Sequence, residues 1–346
     1  MTDEKIDILS LTNEKLKAFI TDDLQEKPFH AKQIFTWLHQ RNCTSFDEMT
    51  DLSKNLRESL KDKAAISTLK VLRKQVSKLD GTRKYLFELA DGNTIESVFM
   101  QYEYGASVCV STEVGCDMGC SFCASTVGGK VRELTAGEML SQVYEIEKDS
   151  GIRISHVVLM GMGEPLNNLD NVLDFIEILT DKNGKNLSER NITISTSGIV
   201  PKIKELADKE LQITLALSLH ASTQGAREKL MPVAKKYSLD ETIDAMRYYF
   251  EKTGRRVSFE YALIKGENDT DSDVENIYRL LHGINCHLNL IPVNPARGDA
   301  FTAPDRQATE LFQKKLEKMG INVTIRRALG RDIDGACGEL RRKVMN

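Results

Sequence analysis

No stretch of this chain approaches the ~18 consecutive apolar residues that a membrane-spanning helix requires. Nor is there a basic-then-apolar leader, since Met1 to Lys17 is polar and acidic. The expectation is a cytoplasmic chain with no membrane contact. A disulfide framework is missing too. The seven cysteines (Cys43, Cys109, Cys116, Cys120, Cys123, Cys286 and Cys337) are odd in number and clustered, the reverse of a secreted scaffold. No surplus of positive charge announces a nucleic-acid binder, because the net charge is −4. Repeats, low-complexity segments and long linkers are also absent, and 346 residues suit one large domain with a small accessory one. Charge is uneven only locally. From Arg326 onward six basic residues, among them Arg326, Arg327 and Arg331, face three acids, which suits either a solvated tail or phosphate contacts.

What the chain does have is Cys116, Cys120 and Cys123, a C-x3-C-x2-C run. Three is the informative count. A structural zinc site closes with four ligands, usually two C-x2-C pairs, and a [4Fe–4S] cube also takes four. Three thiolates in one tight loop leave one iron free for a non-protein ligand. A zinc knuckle completed by a distant Cys or His remains the alternative, although no Cys/His pair here has ligand spacing.

Residues 1–50 read as helical, with an amphipathic segment over Asn13–Ile20 and a second opened by Pro28; Ser53–Lys63 reads as a third helix. From about Lys70 the period moves towards two. Tyr85–Leu89 and Ile95–Met100 around Asp91-Gly92-Asn93 predict a β-hairpin leading from the helices into the main body. Beyond Ala106, apolar runs at Ser107–Ser111, His156–Met160, Ile192–Thr196, Ile213–Leu219, Val257–Leu263 and His287–Pro292 alternate with helical patterns. That alternation predicts a parallel sheet with crossover helices, as a partial barrel or an open sheet. A last helix (Arg306–Lys318) and strand (Asn322–Arg327) follow. The expected division is residues 1–68 as a helical accessory domain, 69–102 as a β-hairpin linker, and 103–346 as the main α/β domain.

The cysteine loop follows the first of these strands, where parallel α/β folds bind ligands. Gly161-Met162-Gly163-Glu164-Pro165 follows the second, offering close backbone approach and a carboxylate able to hold an ammonium group. Ser195 after the third strand, Ser218-Leu219-His220 after the fourth and Asn294 after the sixth occupy the same rim. Each alone could be a cap or turn; on successive strand ends they describe a pocket. Glu96, in the hairpin, reads from the residues alone as part of a solvated face. Cys43 and Cys286 sit among apolar neighbours and read as small buried hydrophobes.

The C-x3-C-x2-C run with Phe122 before its last cysteine, followed one strand later by Gly163-Glu164-Pro165, resembles the radical S-adenosylmethionine enzymes. The resemblance implies a partial (β/α)6 barrel and one [4Fe–4S] cluster held by Cys116, Cys120 and Cys123. It also implies exchangeable S-adenosylmethionine held by Gly163, Glu164, Ser195, Ser218, Leu219, His220 and Asn294. Cys109-Val110-Ser111-Thr112 and Asp332-Ile333-Asp334-Gly335-Ala336-Cys337-Gly338 narrow it, together with Glu26-Lys27-Pro28-Phe29 and Phe46-Asp47-Glu48-Met49-Thr50 in the helical part. With these the chain is similar over essentially its whole length to the RlmN/Cfr family of adenosine methyltransferases.

That family solves a chemical problem. C2 and C8 of adenine are electrophilic amidine carbons without a lone pair, so they cannot attack a sulfonium. The resemblance implies that Cys337 takes a methyl group from one S-adenosylmethionine and that a 5′-deoxyadenosyl radical from a second removes a hydrogen atom from it. The methylene carbon then adds to the base, Glu96 accepts the ring proton, and Cys109 resolves the adduct as a transient Cys109–Cys337 disulfide. The implied substrates are an adenosine of 23S rRNA before full ribosome assembly and the adenosine next to the anticodon in tRNA, methylated at C2. The helical domain and the basic segment beside Cys337 would contact phosphates. A flavodoxin or ferredoxin would reduce the enzyme, acting as a monomer. Pro165 and Asn294-Pro295 look more like the C2 than the C8 (Cfr-type) enzymes; a non-catalytic iron–sulfur RNA-binding module is the reading from another class.

Overall fold

The computed structural model describes residues 5–293 and 301–333; Asn294 and Cys337 lie outside the described residues. The N-terminal part begins with β1 (Ile6–Asp7) and three helices, α1 (Asn13–Ala18), α2 (Phe29–His39) and α3 (Lys54–Lys63). Side-chain oxygens of Thr12 and Ser53 accept the first free amides of α1 and α3. A short β2 (Ala64–Ala65) then pairs in parallel with β1. The region is not an independent body. Its apolar face (Ile8, Leu16, Phe35, Leu38, Leu56 and Leu60) shares one continuous core with the rest of the chain.

Three antiparallel strands follow, β3 (Lys70–Val76), β4 (Arg83–Glu88) and β5 (Thr94–Tyr102). The expected hairpin is therefore β4–β5, but it is no free-standing linker. β5 pairs with β6 (Gly105–Cys109), and β3 extends the sheet by one more strand. β3 escapes a period-two reading because it is an exposed edge strand in which basic residues interrupt Val71, Leu72 and Val76.

The main body runs β6, β7 (Glu113–Gly115), β8 (Lys130–Glu133), α4 (Ala136–Ser150), β9 (Ile154–Leu159), α5 (Leu169–Thr180), β10 (Ile192–Thr196), α6 (Val200–Ala207), β11 (Thr214–Ser218), α7 (Gln224–Leu230), α8 (Leu239–Thr253), β12 (Val257–Leu263), α9 (Asp271–Leu281), β13 (Cys286–Pro292), α10 (Arg306–Lys318) and β14 (Val323–Ile325). The sheet order is β14-β13-β12-β11-β10-β9-β6-β5-β4-β3, and β6 and β9 to β14 are all parallel. Each crossover thus returns to the adjacent position without a reversal of order. Right-handed crossovers of that kind place every helix on one face, the arrangement of a partial (β/α)6 barrel rather than a doubly wound sheet.

Alternation along the strands separates two environments. Val108, Val157, Ile194, Leu217, Phe259 and Leu288 point to the helices and join the core. Most of the residues between them, Val158, Ala216, Ala262 and Ile291 apart, are polar and meet across neighbouring strands on the inner face. Ser195 Oγ lies 3.4 Å from Ser218 Oγ, Asn289 Nδ2 donates to Glu260 Oε2 at 2.8 Å, and Thr324 Oγ1 is 3.0 Å from His287 Nε2. A closed eight-stranded barrel fills its interior with Val, Ile and Leu. This one lines it with hydroxyls, amides and charge, so the lumen is a place for polar ligands.

After β14 the chain crosses from one sheet edge to the other. Arg326 N–H donates to the Leu290 carbonyl at 2.8 Å, while Asp332 accepts from Ser77 Oγ (2.6 Å) and the Lys78 amide (2.7 Å) at the β3–β4 turn. Gly330 N–H adds a bond to Asp80 at 2.9 Å. Those bonds are the tether of the C-terminal segment. Asp332→Ala is expected to raise limited proteolysis after Arg326 and Arg327 several-fold, with the main thermal transition nearly unmoved; an unchanged cleavage rate contradicts the tether.

Candidate active site

Of the expected cofactor residues, Gly163, Glu164, Ser195, Ser218, Leu219 and His220 gather at the carboxyl ends of the parallel strands. The cysteine loop leaves β7 at Gly115, which has a φ of +81° and presses so closely on the Gly129 carbonyl oxygen that a Cβ would collide with it. Ser121 N–H then donates to the Leu230 carbonyl at 2.9 Å, fixing the loop to α7. Cys120 packs with Ala221, Leu230, Met231, Val233 and Ile264, and the Phe122 ring meets His220 edge-on at 4.8 Å. Cys116 and Cys120 are buried and Cys123 half-buried. Burial pushes the Cys116 thiol up to about 12 and Cys120 higher still. Thiolates here need a positive partner such as iron.

Gly161-Met162-Gly163 does not simply open space for a ligand. A Cβ on Gly161 would lie 2.7 Å from the Ser111 amide nitrogen, and one on Gly163 2.7 Å from Glu113 Cβ. The glycines let this turn press against the β6–β7 connection. Glu164 is not solvated: one carboxylate oxygen accepts Ser197 N–H (2.7 Å), the other Leu166 N–H (3.2 Å), and burial raises its pKa. Ser195 and Ser218 face each other across β10 and β11. Leu219 is a core residue whose amide bonds the Glu260 carbonyl. His220, in a left-handed conformation at φ 54°, accepts the Ala262 amide on Nδ1 at 2.9 Å. Burial and then the Arg227 charge lower its pKa to about 3, so it is neutral.

A second group lies on the antiparallel side of the lumen. Cys109 ends β6 and pairs in register with Val98, which pairs with Lys84; Glu96 lies two residues along β5 on the same face. Glu96 and Lys84 form a buried ion pair at 2.9 Å, with side-chain exposures of 3% and 0%. The solvated-face reading of Glu96 therefore fails, because the sheet continues on both sides of its strand. The Cys109 thiol is partly accessible yet deep in the lumen; burial raises its pKa, and the charges of Arg326 and Lys84 oppose that rise.

Residues 6–66 match the ribosomal RNA large subunit methyltransferase N-terminal domain, and residues 110–281 match the radical SAM superfamily. The chain is 54% identical over 339 residues to the probable dual-specificity RNA methyltransferase RlmN of Lachnospira eligens, covering 98% of this chain and 97% of the relative. The protein of the same name from Alkaliphilus oremlandii is 52% identical over 340 residues, with 98% of each chain covered. This chain belongs to the RlmN family. A crystal structure of a radical SAM methyltransferase from Sphaerobacter thermophilus has the same fold, with a TM-score of 0.91 at 40% identity over 96% of this chain and 98% of that one. Among the described residues no helix is long and apolar enough to cross a membrane.

Membership of the radical-SAM family implies a [4Fe–4S] cluster and S-adenosylmethionine. The rim of this RlmN-family chain fits such polar guests. Thr112 Oγ1, Ser197 Oγ and Arg227 Nη1 are buried at the strand ends without a partner among the described residues, a cost that an incoming polar ligand relieves. Several rim residues lie outside the strand-end motifs. Gln142, inside the apolar face of α4, bonds both the amide (2.9 Å) and the carbonyl (3.0 Å) of Ser111. Asn168 Nδ2 donates to the Thr112 and Leu134 carbonyls. A polar residue in the middle of an apolar helical stripe is the available clue for Gln142.

Glu113 is fully buried, accepts the Glu164 amide at 2.9 Å and lies 3.2 Å from Lys130 Nζ. Burial lifts its pKa from 4.5 to about 7, outweighing the Glu164 amide and Lys130. The folded chain thus binds this proton more tightly than the unfolded one, so stability falls as pH rises from about 4.5 to about 7. Between about pH 5.5 and 7 the loss is roughly 2 kcal/mol, at ~1.4 kcal/mol per unit. Glu113→Gln keeps an acceptor for the amide and is expected to flatten that slope in denaturant titrations; an unchanged slope contradicts the assignment.

Proposed function

We propose that this chain methylates C2 of an adenosine in the peptidyl transferase centre of 23S rRNA and C2 of the adenosine 3′ to the anticodon in tRNAs. The observation that carries the reading is identity of 54% to a dual-specificity RNA methyltransferase over 98% of the chain, together with a polar lumen that opens on a three-cysteine loop. In this reading Cys116, Cys120 and Cys123 hold one [4Fe–4S] cluster. Gly163, Glu164, Ser195, Ser218, Leu219, His220 and Asn294 hold S-adenosylmethionine, two molecules of which serve each turnover. When bound, these groups supply a methyl group and a 5′-deoxyadenosyl radical.

The chain's own residues do the rest. Cys337 accepts the methyl group on sulfur and gives up one hydrogen atom from it, and the methylene carbon bonds to C2. Glu96, held in place by Lys84, takes the ring proton. The adduct would return its unpaired electron to the bound cluster. The Cys109 thiolate then attacks the Cys337 sulfur, breaking its bond to carbon. That carbon takes up a proton to become the methyl group of methyladenosine, and the two cysteines are left as a disulfide, which a reducing cytosol reopens. Two features support this. Cys109 and Glu96 share one face of the sheet in adjacent strands. Cys337 follows four positions after Ile333, at most ~14 Å of chain, and Ile333 is next to the tethered Asp332.

The remaining assignments belong to the same reading: residues 1–68 as an RNA-binding accessory domain, 69–102 as the connection, 103–346 as the catalytic domain, a cytoplasmic monomer, and a flavodoxin or ferredoxin as electron donor. RNA acted on at a base carbon must present that base out of its stack, and Arg326, Arg327 and Arg331 would bring positive charge to the backbone beside it.

Digested 23S rRNA from a strain deleted for this gene is expected to lose 2-methyladenosine by mass spectrometry; unchanged levels overturn the proposal, and loss of 8-methyladenosine instead assigns the Cfr-type reaction. Cys109→Ala is expected to accumulate a covalent protein–RNA adduct. Free methylated RNA at normal yield from that variant contradicts the resolving role.

A further inference from the structure

Arg227 is the largest fully buried side chain of the described residues, on α7 directly after β11. Its Nη2 donates to the carbonyls of Ser197 (2.6 Å) and Ser218 (3.2 Å), and its Nε to that of Leu219 (3.3 Å). Among the described residues Nη1 has no partner, and no carboxylate lies within ion-pair distance of the guanidinium. Burying a charge without a counter-charge costs several kcal/mol. Three carbonyls do not require it, since neutral amide donors bond carbonyls equally well. The positive charge therefore needs another explanation.

Its surroundings supply one. The helix that carries Arg227 also carries Leu230, which packs on Cys120 and whose carbonyl accepts from both the amide and the hydroxyl of Ser121. The charge of Arg227 acts on the Cys120 sulfur and also on His220, whose ring contacts Phe122 of the cysteine loop. Acidic groups dominate the other side: Glu113 and Glu164 are both buried at the base of the loop. A cluster held there by three thiolates gains negative charge when it takes up an electron. Buried carboxyl groups oppose that uptake, and a fixed cation without a partner favours it.

We propose that Arg227 is an electrostatic positioning residue that favours one-electron reduction of the cluster held by Cys116, Cys120 and Cys123. The inference rests on the cluster assignment proposed above. One electron passes from an external low-potential donor to the cluster; no bond is made or broken in the protein, and Arg227 stays protonated in both states.

The test is a redox titration of anaerobically reconstituted protein, without S-adenosylmethionine, using dithionite and mediators with absorbance and electron paramagnetic resonance as readouts. Arg227→Gln keeps amide donors and removes the charge; Arg227→Lys keeps the charge. At a fixed potential the reduced-to-oxidised ratio is expected to fall about tenfold in Arg227→Gln, a shift of ~59 mV for a one-electron couple, and by less than about threefold in Arg227→Lys. A wild-type potential in Arg227→Gln overturns the proposal, as does an equal fall in both variants, which would assign the residue to holding carbonyls alone. Should Arg227→Gln fail to fold, Arg227→Lys decides: a wild-type potential supports the charge and a tenfold fall overturns it. Cluster loss from both variants, with the wild type loaded, leaves only a structural role and overturns it as well. Wild-type protein that takes up no cluster overturns the cluster assignment itself.

Discussion

Parallel strands that stop at one rim leave amides and carbonyls with no ladder partner, and buried polar groups cannot stay unpaired cheaply. Here a relay of buried side chains satisfies them from strand to strand. Gln142 and Ser111 tie β6 to the turn after β9, with Ser111 Oγ accepting the Met162 amide at 2.9 Å. Glu113 holds Glu164, and Glu164 holds Ser197 at the end of β10. Arg227 holds Ser197 and the Ser218–Leu219 end of β11. Asn268 then joins the His220 carbonyl (2.9 Å) to that of Ala262 (2.7 Å) on β12.

That relay determines what the lumen can do. With the strand ends fixed from behind, the side chains that remain on the inner face can meet a ligand, and they are polar. The cysteine loop is mounted on the same relay through Leu230 and Gly115. The antiparallel strands β3 to β5 widen the sheet and bring a buried Lys84–Glu96 pair beside Cys109, while the segment through Asp332 carries the chain back across to them. Rigid rim and tethered C-terminal segment are different kinds of structure. In the proposed mechanism the tethered segment leads to the methyl-accepting cysteine, and the rim holds the groups that generate the radical.

Much of this is legible in the sequence where one physical signal dominates. Ile192–Thr196, Val257–Leu263 and Arg306–Lys318 coincide with the elements read from apolar runs and helical period. Cys43 and Cys286 are buried, as their apolar neighbours imply. The first barrel strand is Gly105–Cys109 rather than Ser107–Ser111, because pairing with β5 begins at the tight Tyr102–Gly105 turn and not at the first apolar residue. The choice between an open sheet and a partial barrel depends on strand order, which local period does not encode. Glu96 is misread from its strand alone, since its burial comes from the strands paired on both sides of it, one of which supplies Lys84. Arg227 gives no signal because its partners lie up to 30 residues away in sequence and are backbone carbonyls, which any sequence possesses.

In the proposed mechanism the transferred carbon passes through a protein thioether as a radical instead of moving directly to RNA. The most direct measurement uses S-adenosylmethionine carrying a trideuterated methyl group, with reconstituted protein, dithionite and an rRNA fragment, and weighs both products. The claim predicts methyladenosine whose new methyl group retains two deuterium atoms and 5′-deoxyadenosine that has gained one. A methyl group that arrives with all three, and deoxyadenosine with none, would contradict it.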